Sequence, residues 1–498
     1  MNAPDKQQTF FKFDNSYAKL PDRFYARLTP TPVRAPHLIK LNTILAEHLG
    51  LEPDYLKSPE GVDILAGNYL PRGADPIAMA YAGHQFGGWV PQLGDGRAIL
   101  IGEVTGQDGK RRDIQLKGAG RTPFSRSGDG RAAVGPVLRE YIISEAMAAL
   151  GVPTTRALAA VTTGEQIMRE TLLPGAILTR VALSHIRVGT FQFFAAREDT
   201  EALRLLADHV ITRHYPDLAE ADQPYHRLLE AVMDRQAMLV AKWMGIGFIH
   251  GVMNTDNTSI AGETIDYGPC AFMDTFHPGT VFSSIDHAGR YAYGNQPRIA
   301  QWNLARFAQC LLPLLDNNQD AAIDFAQAAI DDYPARYQKC WLKVMRTKLG
   351  LMTEMDGDLA LIEDLFERMA ANQADHTLTF RSLSSLSGSD ATNDATVSSL
   401  FDDPAASESW IVTWRARLVA ENSSDRDRQA LMRSTNPRFI PRNHLVEAAI
   451  QAGLNGDYGP FEELVAVLAA PYDNKSGRDH FTKPPAPGEV VSATFCGT

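Results

Sequence analysis

His250-Gly251-Val252-Met253-Asn254-Thr255-Asp256-Asn257, followed by Ile265-Asp266-Tyr267-Gly268, is the stretch that decides the fold of this chain. Asn257 and Asp266 stand nine residues apart and offer the hard oxygen ligands that Mg2+ prefers, with nucleotide phosphates completing its octahedron. Alone, Asp266-Tyr267-Gly268 would be a simple turn; apolar Ile265 before it and its distance from Asn257 favour the metal reading. His250 reads as structural, bracing the loop by hydrogen bonds. Asp256 is either a loop cap or a base, because a carboxylate next to a metal ligand can orient or deprotonate an incoming hydroxyl.

In kinases the corresponding loop runs H-R-D-x-x-x-x-N and is followed by D-F-G, where the first Asp orients the hydroxyl nucleophile and the Asn and second Asp hold magnesium. This chain keeps the His-to-Asn spacing. Val252 occupies the place of the orienting Asp and can neither accept a proton nor bind a cation. Either the chain binds nucleotide and has lost its chemistry, or it runs different chemistry on the same phosphates.

Working towards the N-terminus, Arg97 to Val104 and Asp113 to Lys117 are apolar-rich runs separated by Gly106-Gln107-Asp108-Gly109, which predicts a hairpin ending in a lysine. Gly94 and Gly96 precede it, in a turn that either lets backbone N–H groups approach phosphate oxygens or is merely tight. A helix is expected over Val137 to Leu150, after Pro136 and stopped by Gly151. It carries Glu140, a partner able to hold the Lys117 ammonium against phosphates. The loop between is dense in arginine (Arg121, Arg126, Arg131) and contains Asp129-Gly130. Arg180 and Arg187 flank the apolar-rich run 181–186; half-buried arginines need an anion, either a phosphate or a structural carboxylate.

Other helices are expected near Leu38 to Leu51, from Pro224 to Gly245 on a stripe that includes Leu228, Val232, Leu239 and Trp243, and at Ile299 to Leu315, Ala321 to Ile330, Tyr337 to Leu349, Leu359 to Ala371, Trp410 to Val419 and His444 to Ala452. Ser382 to Asp403 reads as a loop or an ordered insertion of low regularity. Strands first and helices later predict a two-lobed α+β body with the site in the cleft. The division expected is an extension over 1–75 packed on the body, a strand-containing N-lobe over 76–175, a large helical C-lobe over 176–480 and a tail over 481–498.

The chain has 498 residues and a net charge of −11, the balance of a globular protein whose main partner is not nucleic acid. The start MNAPDKQQTFFKF has no apolar signal core, and no apolar run is long enough to span a bilayer, so no membrane partner and a cytoplasmic location are expected. Cys310 and Cys340 lie in helical patterns and read as apolar fillers. Cys270 and Cys496 are either unrelated thiols or a reversible link that locks the tail near the site.

Tyr81-Ala82-Gly83-His84-Gln85-Phe86-Gly87, Leu93-Gly94-Asp95-Gly96-Arg97, the run Gln115 to Arg126, His250 to Asn257 and Asp266-Tyr267-Gly268-Pro269, in this order, resemble the selenoprotein O family, kinase-fold proteins of bacteria and mitochondria. Cys496 stands where some members carry selenocysteine, so selenium-dependent redox behaviour is not implied here. The resemblance implies a bilobal protein-kinase-like fold that binds ATP reversed in its cleft and transfers AMP to Ser, Thr or Tyr hydroxyls of proteins, releasing pyrophosphate. It implies that Lys117, backed by Glu140, grips phosphates, with Gly94, Gly96, Arg97, Asp129 and Gly130 along the nucleotide and Arg180 and Arg187 on its terminal phosphate. Asp256 matches the family's general base, and Asn257 and Asp266 its ligands for Mg2+, with Mn2+ and UTP as alternatives. Two other functions compete: a protein or small-molecule phosphotransferase using Asp256, and a non-catalytic nucleotide-binding scaffold. Retention of Asn257 and Asp266 counts against the scaffold.

Overall fold

A computed structural model describes residues 10–421, 423–474 and 476–495. The strands β1 (Tyr25–Arg27), β2 (His37–Leu41) and β3 (Ile77–Met79) precede a small hairpin of β4 (Gly83–Gln85) and β5 (Gly88–Val90). Then come β6 (Ala98–Thr105), β7 (Arg111–Lys117), β8 (Ala132–Ala133), β9 (Arg156–Met168) and β10 (Leu172–Ala182). The main sheet runs β1-β3-β6-β7-β10-β9-β2, with β8 paired to β10, and its pairings are antiparallel.

Both faces of this sheet are covered, which is why its strands read as apolar runs rather than clean alternations. The helices α1 (Thr43–His48), α2 (Pro53–Lys57) and α3 (Pro59–Ala66) lie on one face, where Ile99, Ile101, Ile114, Leu116, Ile177 and Val181 join Leu45 and Leu65. Helix α4 (Val134–Ala149) covers the other and packs on β9 and β10. Because side chains alternate along a strand, Gln115 and Lys117 of β7 point to the α4 side. The register pairs Arg180 with Gln115 and Leu178 with Lys117, so Arg180 arrives on the same face. Two cations are thereby fixed side by side by strand pairing alone.

The rest is largely helical. Helices α5 (Val188–Ala195), α6 (Thr200–His214) and α7 (Pro224–Gly245) lead to the short pair β11 (Phe248–Ile249) and β12 (Ala271–Phe272). After these come α8 (Gln296–Leu315), α9 (Gln319–Leu349) and further helices, including Asp358–Ala371, Pro404–Leu418 and Asn443–Leu454. The expected stripe on α7 is buried throughout, from Leu228 to Trp243. No helix among the described residues is long and apolar enough to cross a membrane.

Several expectations are corrected. The longest strands, β9 and β10, were not anticipated, and the division at 175/176 falls inside β10. Residues before 76 are not only an extension, since they supply β1 and β2 to the sheet. Leu38 to Leu51 is not one helix: β2 ends at Leu41, and the Asn42 side chain accepts a hydrogen bond from Leu45 N to start α1 afresh. The two helices expected on either side of Pro334 are one helix, α9, held against α7 and α8. Part of Ser382 to Asp403 is helical, at the end of His376–Leu383 and in Ala395–Ser398.

Candidate active site

The β11–β12 pair clamps the ends of the loop that begins at His250. The buried His250 ring joins Ile265 O through Nε2 at 2.9 Å and accepts from Val252 N through Nδ1 at 3.4 Å, which ties the two halves of the loop together. This is the bracing expected of it. Arg187, at the start of α5, donates to Asp256 O at 2.7 Å and so fixes the loop from the other side.

Asp266 is the electrostatic centre. Its backbone is left-handed, with φ of 61°, an uncommon conformation for a residue with a side chain. Its carboxylate receives Lys117 Nζ at 3.3 Å, Arg180 Nη1 at 2.6 Å and Arg187 Nη1 at 2.5 Å. Burial opposes ionisation, but Arg187, Arg180 and Lys117 together hold this carboxyl well below the usual range. Glu140 completes the network, 2.5 Å from Lys117 Nζ and 3.2 Å from Arg180 Nη1. Strands β7 and β10, helix α4 and the loop after β11 therefore deliver Lys117, Arg180, Glu140 and Asp266 to one point.

Asp256 lies in a single turn of 3-10 helix and is buried. Gln85 Nε2 donates to its Oδ2 at 3.1 Å, while its Oδ1 has no partner. Burial is the main reason its carboxyl is pushed up to about 6. The hairpin β4–β5 is fastened to this loop: His84 N donates to Thr255 Oγ1 at 2.7 Å and Phe86 N to Asn254 Oδ1 at 3.0 Å. A Cβ on Gly83 would sit 2.6 Å from Asp256 Oδ1, so only glycine leaves room for the carboxylate in this position.

Asn257 donates its amide nitrogen to Val252 O at 2.9 Å, which directs its Oδ1 the other way. Asn257 Oδ1, the Asp266 carboxylate and the unpartnered Asp256 Oδ1 are all hard oxygen donors and fit a divalent cation that keeps phosphate or water ligands. Among the described residues no group of three or more His, Cys, Asp or Glu could hold a metal unaided. A metal here would share Asp266 with three cationic side chains.

Beside this network a cavity of about 190 Å3 is lined by Arg97, Lys117, Glu140, Tyr267, Gly268 and Phe495, among others. Asp129 and Gly130 do not line it; Asp129 is held by Arg169 at 2.8 Å and by Arg131 N at 2.9 Å. Gly94 and Gly96 have a local packing reason. A Cβ on Gly94, whose φ is 97°, would collide with the Phe124 ring, and one on Gly96 would lie 2.9 Å from Phe124 O. Thr494 Oγ1 donates to Pro269 O at 2.6 Å, bringing the C-terminal segment alongside the loop. Cys496 lies outside the described residues, so its suggested link to Cys270 does too.

Four participants were missed in the sequence. Gln115 accepts from Arg180 at 2.6 Å, Asp95 accepts from Gln115 at 3.2 Å, Tyr81 lies under the Arg187 guanidinium at 4.6 Å, and Gln85 holds Asp256. Gln115 was open to discovery by period two, since it shares a strand face with Lys117.

Residues 8–469 match the family model described as protein adenylyltransferase SelO. The chain belongs to the SelO family. It is 63% identical over 489 residues to a protein nucleotidyltransferase YdiU of Bradyrhizobium diazoefficiens, covering 98% of this chain and 99% of that one. It is 64% identical to the protein of the same name from Rhodopseudomonas palustris strain BisB5, with the same coverage, and 61% identical over 494 residues to that of Methylorubrum populi. Membership in SelO confirms the family resemblance drawn from the motifs and makes the chain an enzyme of the protein adenylyltransferase class.

Proposed function

We propose that this SelO-family enzyme transfers AMP from ATP to Ser, Thr or Tyr hydroxyls of proteins, with the triphosphate seated tail-inwards in a protein-kinase-like cleft. In this reading the sheet with α4 is the smaller lobe, the helices from α5 onward the larger, and the division falls after β10. The observation that carries it is the separation of charge. Lys117, Arg180 and Arg187 converge on Asp266, while Asp256 keeps a buried oxygen without a partner. Cations suited to two phosphates sit deep, and a base sits where an acceptor hydroxyl would approach the remaining one.

The acceptor oxygen forms a bond to the α-phosphorus, the α–β bridging bond breaks, the hydroxyl proton passes to the Asp256 carboxylate, and pyrophosphate departs. At neutral pH an acid of pKa about 6 is mostly ionised, and it is a stronger base than an exposed aspartate. Lys117, Arg180 and Arg187 stabilise the charge that develops on pyrophosphate, with Glu140 and Gln115 holding them in place and Arg97 lining the approach. A divalent ion, Mg2+ or Mn2+, would be held by Asn257 and Asp266 and would neutralise phosphate charge. UTP in place of ATP would deliver UMP by the same step.

Val252 explains why the ordinary kinase position is empty of a carboxylate: with the nucleotide reversed, the hydroxyl meets a different phosphorus and needs its base elsewhere. The test is ATP labelled at the α- or the γ-phosphate and offered with a mixture of acceptor proteins. Label from the α-position alone is expected. Label from the γ-position alone would replace this reading with phosphotransfer, and nucleotide binding without either label would leave a scaffold.

A further inference from the structure

Next to the Asp256 loop lies a surface apart from the Lys117, Arg180, Arg187 and Asp266 network. Trp302 of α8 is flanked by two guanidinium groups, those of Arg290 at 4.9 Å and Arg306 at 5.0 Å from its ring centre. Neither arginine has a carboxylate within ion-pair distance among the described residues, and the Nε of each is buried without a partner. The polar group that Arg290 meets is the Tyr291 hydroxyl, which itself donates to Asn254 Oδ1 at 2.6 Å. The other half of the surface is the β4–β5 hairpin. His84 lies tilted against Trp89 and near-perpendicular to Trp302, at 4.9 and 5.2 Å, and Trp89 is 41% exposed.

Several other arginines are spent on carboxylates, Arg112 on Asp108, Arg156 on Glu145 and Arg415 on Asp394. Arg290 and Arg306, beside one indole and with no carboxylate partner among the described residues, form a local cationic site on a chain whose net charge is −11. Packing beside Trp302 holds both cations in place with no described carboxylate of this chain to neutralise them, and their outer Nη groups are suited to an incoming carboxylate. The surface is wired to the proposed base, because the hairpin that forms half of it also supplies Gln85 to Asp256, and Asn254 Oδ1 accepts from both Phe86 N and the Tyr291 hydroxyl.

The geometry points to Arg290, Arg306, Trp302 and the β4–β5 hairpin as the docking surface for an acidic segment of the protein acceptor, flanking the hydroxyl that is modified. This rests on the reading of Asp256 as the base for a protein hydroxyl. The enzyme thus selects hydroxyls that lie near Asp or Glu, and aromatic or aliphatic neighbours of those acids pack on Trp89.

The test uses the full chain with peptides that carry one hydroxyl flanked by acidic, neutral or basic residues, followed both by α-phosphate label and by anisotropy of a dye-labelled peptide in the presence of a non-hydrolysable ATP analogue. Acidic flanks should be preferred over neutral ones on the order of tenfold, since each partly exposed ion pair contributes a factor of a few. R290Q/R306Q should erase that preference while still labelling the neutral peptide at the wild-type rate, and R290E/R306E should turn it towards basic flanks. Labelling indifferent to flanking charge would overturn the surface and leave the adenylyl reading standing. Arginine-dependent binding of the acidic peptide without α-label would keep the surface and remove that reading. Failure of both binding and labelling would bring down the two together.

Discussion

The two ends of the loop after β11 carry carboxylates, Asp256 and Asp266, in opposite surroundings. Asp266 is held well below the usual range because three cations outweigh its burial. Asp256, more deeply enclosed, meets one neutral amide and keeps an oxygen unpartnered, and burial, with the Asp266 charge adding to it, pushes it up to about 6. When neighbouring titratable groups are driven apart in this way, their chemical duties are usually divided along the same line. The first is suited to bind cations permanently, the second to give and take a proton near neutral pH. The difference is created by β10, whose register brings Arg180 to Asp266, and by the β4–β5 hairpin, which brings only Gln85 to Asp256.

The most direct way to break this contrast is to remove the base. Asp256→Ala is expected to lower transfer by on the order of a thousandfold and to leave ATP affinity largely unchanged, measured by label incorporation and by calorimetric titration. Near wild-type labelling would take Asp256 out of the mechanism. Next in size is the cation side: Lys117→Ala should cost hundreds-fold in rate, because one charged group at a developing anion is worth roughly 3 to 4 kcal/mol. Here ATP affinity should fall as well, and a variant with both rate and affinity unchanged would mean that Lys117 does not touch the phosphates.

How far the sequence reached follows the same physics. The β6–β7 hairpin, α4 and α7 were legible because each has a local signal: a Gly106 to Gly109 turn, Pro136 with Gly151, and a stripe of period near four. The strands β9 and β10 were not, because helices cover both faces and their side chains do not alternate in polarity. Leu38, Leu41, Leu45 and Leu49 keep a helical spacing straight through the end of β2, and only the capping role of Asn42 reveals the break. At the site, the motifs located Lys117, Glu140, Asp256 and Asp266 but not Gln85, which reaches Asp256 across a long stretch of chain, nor Asp95, which supports the network through Gln115. Arginine density around Asp129 suggested phosphate, yet Arg131 is spent on Thr31 O and Pro32 O, and Arg169 takes Asp129.

Finer changes sharpen the contrast without abolishing it. Gly83→Ala places a Cβ 2.6 Å from Asp256 Oδ1, so the carboxylate must shift. A displacement of this kind should reduce transfer on the order of tens-fold with ATP binding intact, and an unchanged rate would show that Oδ1 is not aimed at the acceptor.

The smallest expected effect is also the most specific. Gln85 donates to Asp256 and so lowers a pKa that burial has raised; Gln85→Leu removes the donor and should raise it further. Transfer needs the ionised base, so wild-type activity should fall as pH drops through about 6, and the variant's acid limb should move to higher pH. The rate at pH 8 should change little and the rate at pH 6 should fall several-fold. A merely structural role for Gln85 would lower the whole profile without moving the limb. A limb that stays in place would mean that the proton is taken by another group, and the division of labour between Asp256 and Asp266 would have to be redrawn.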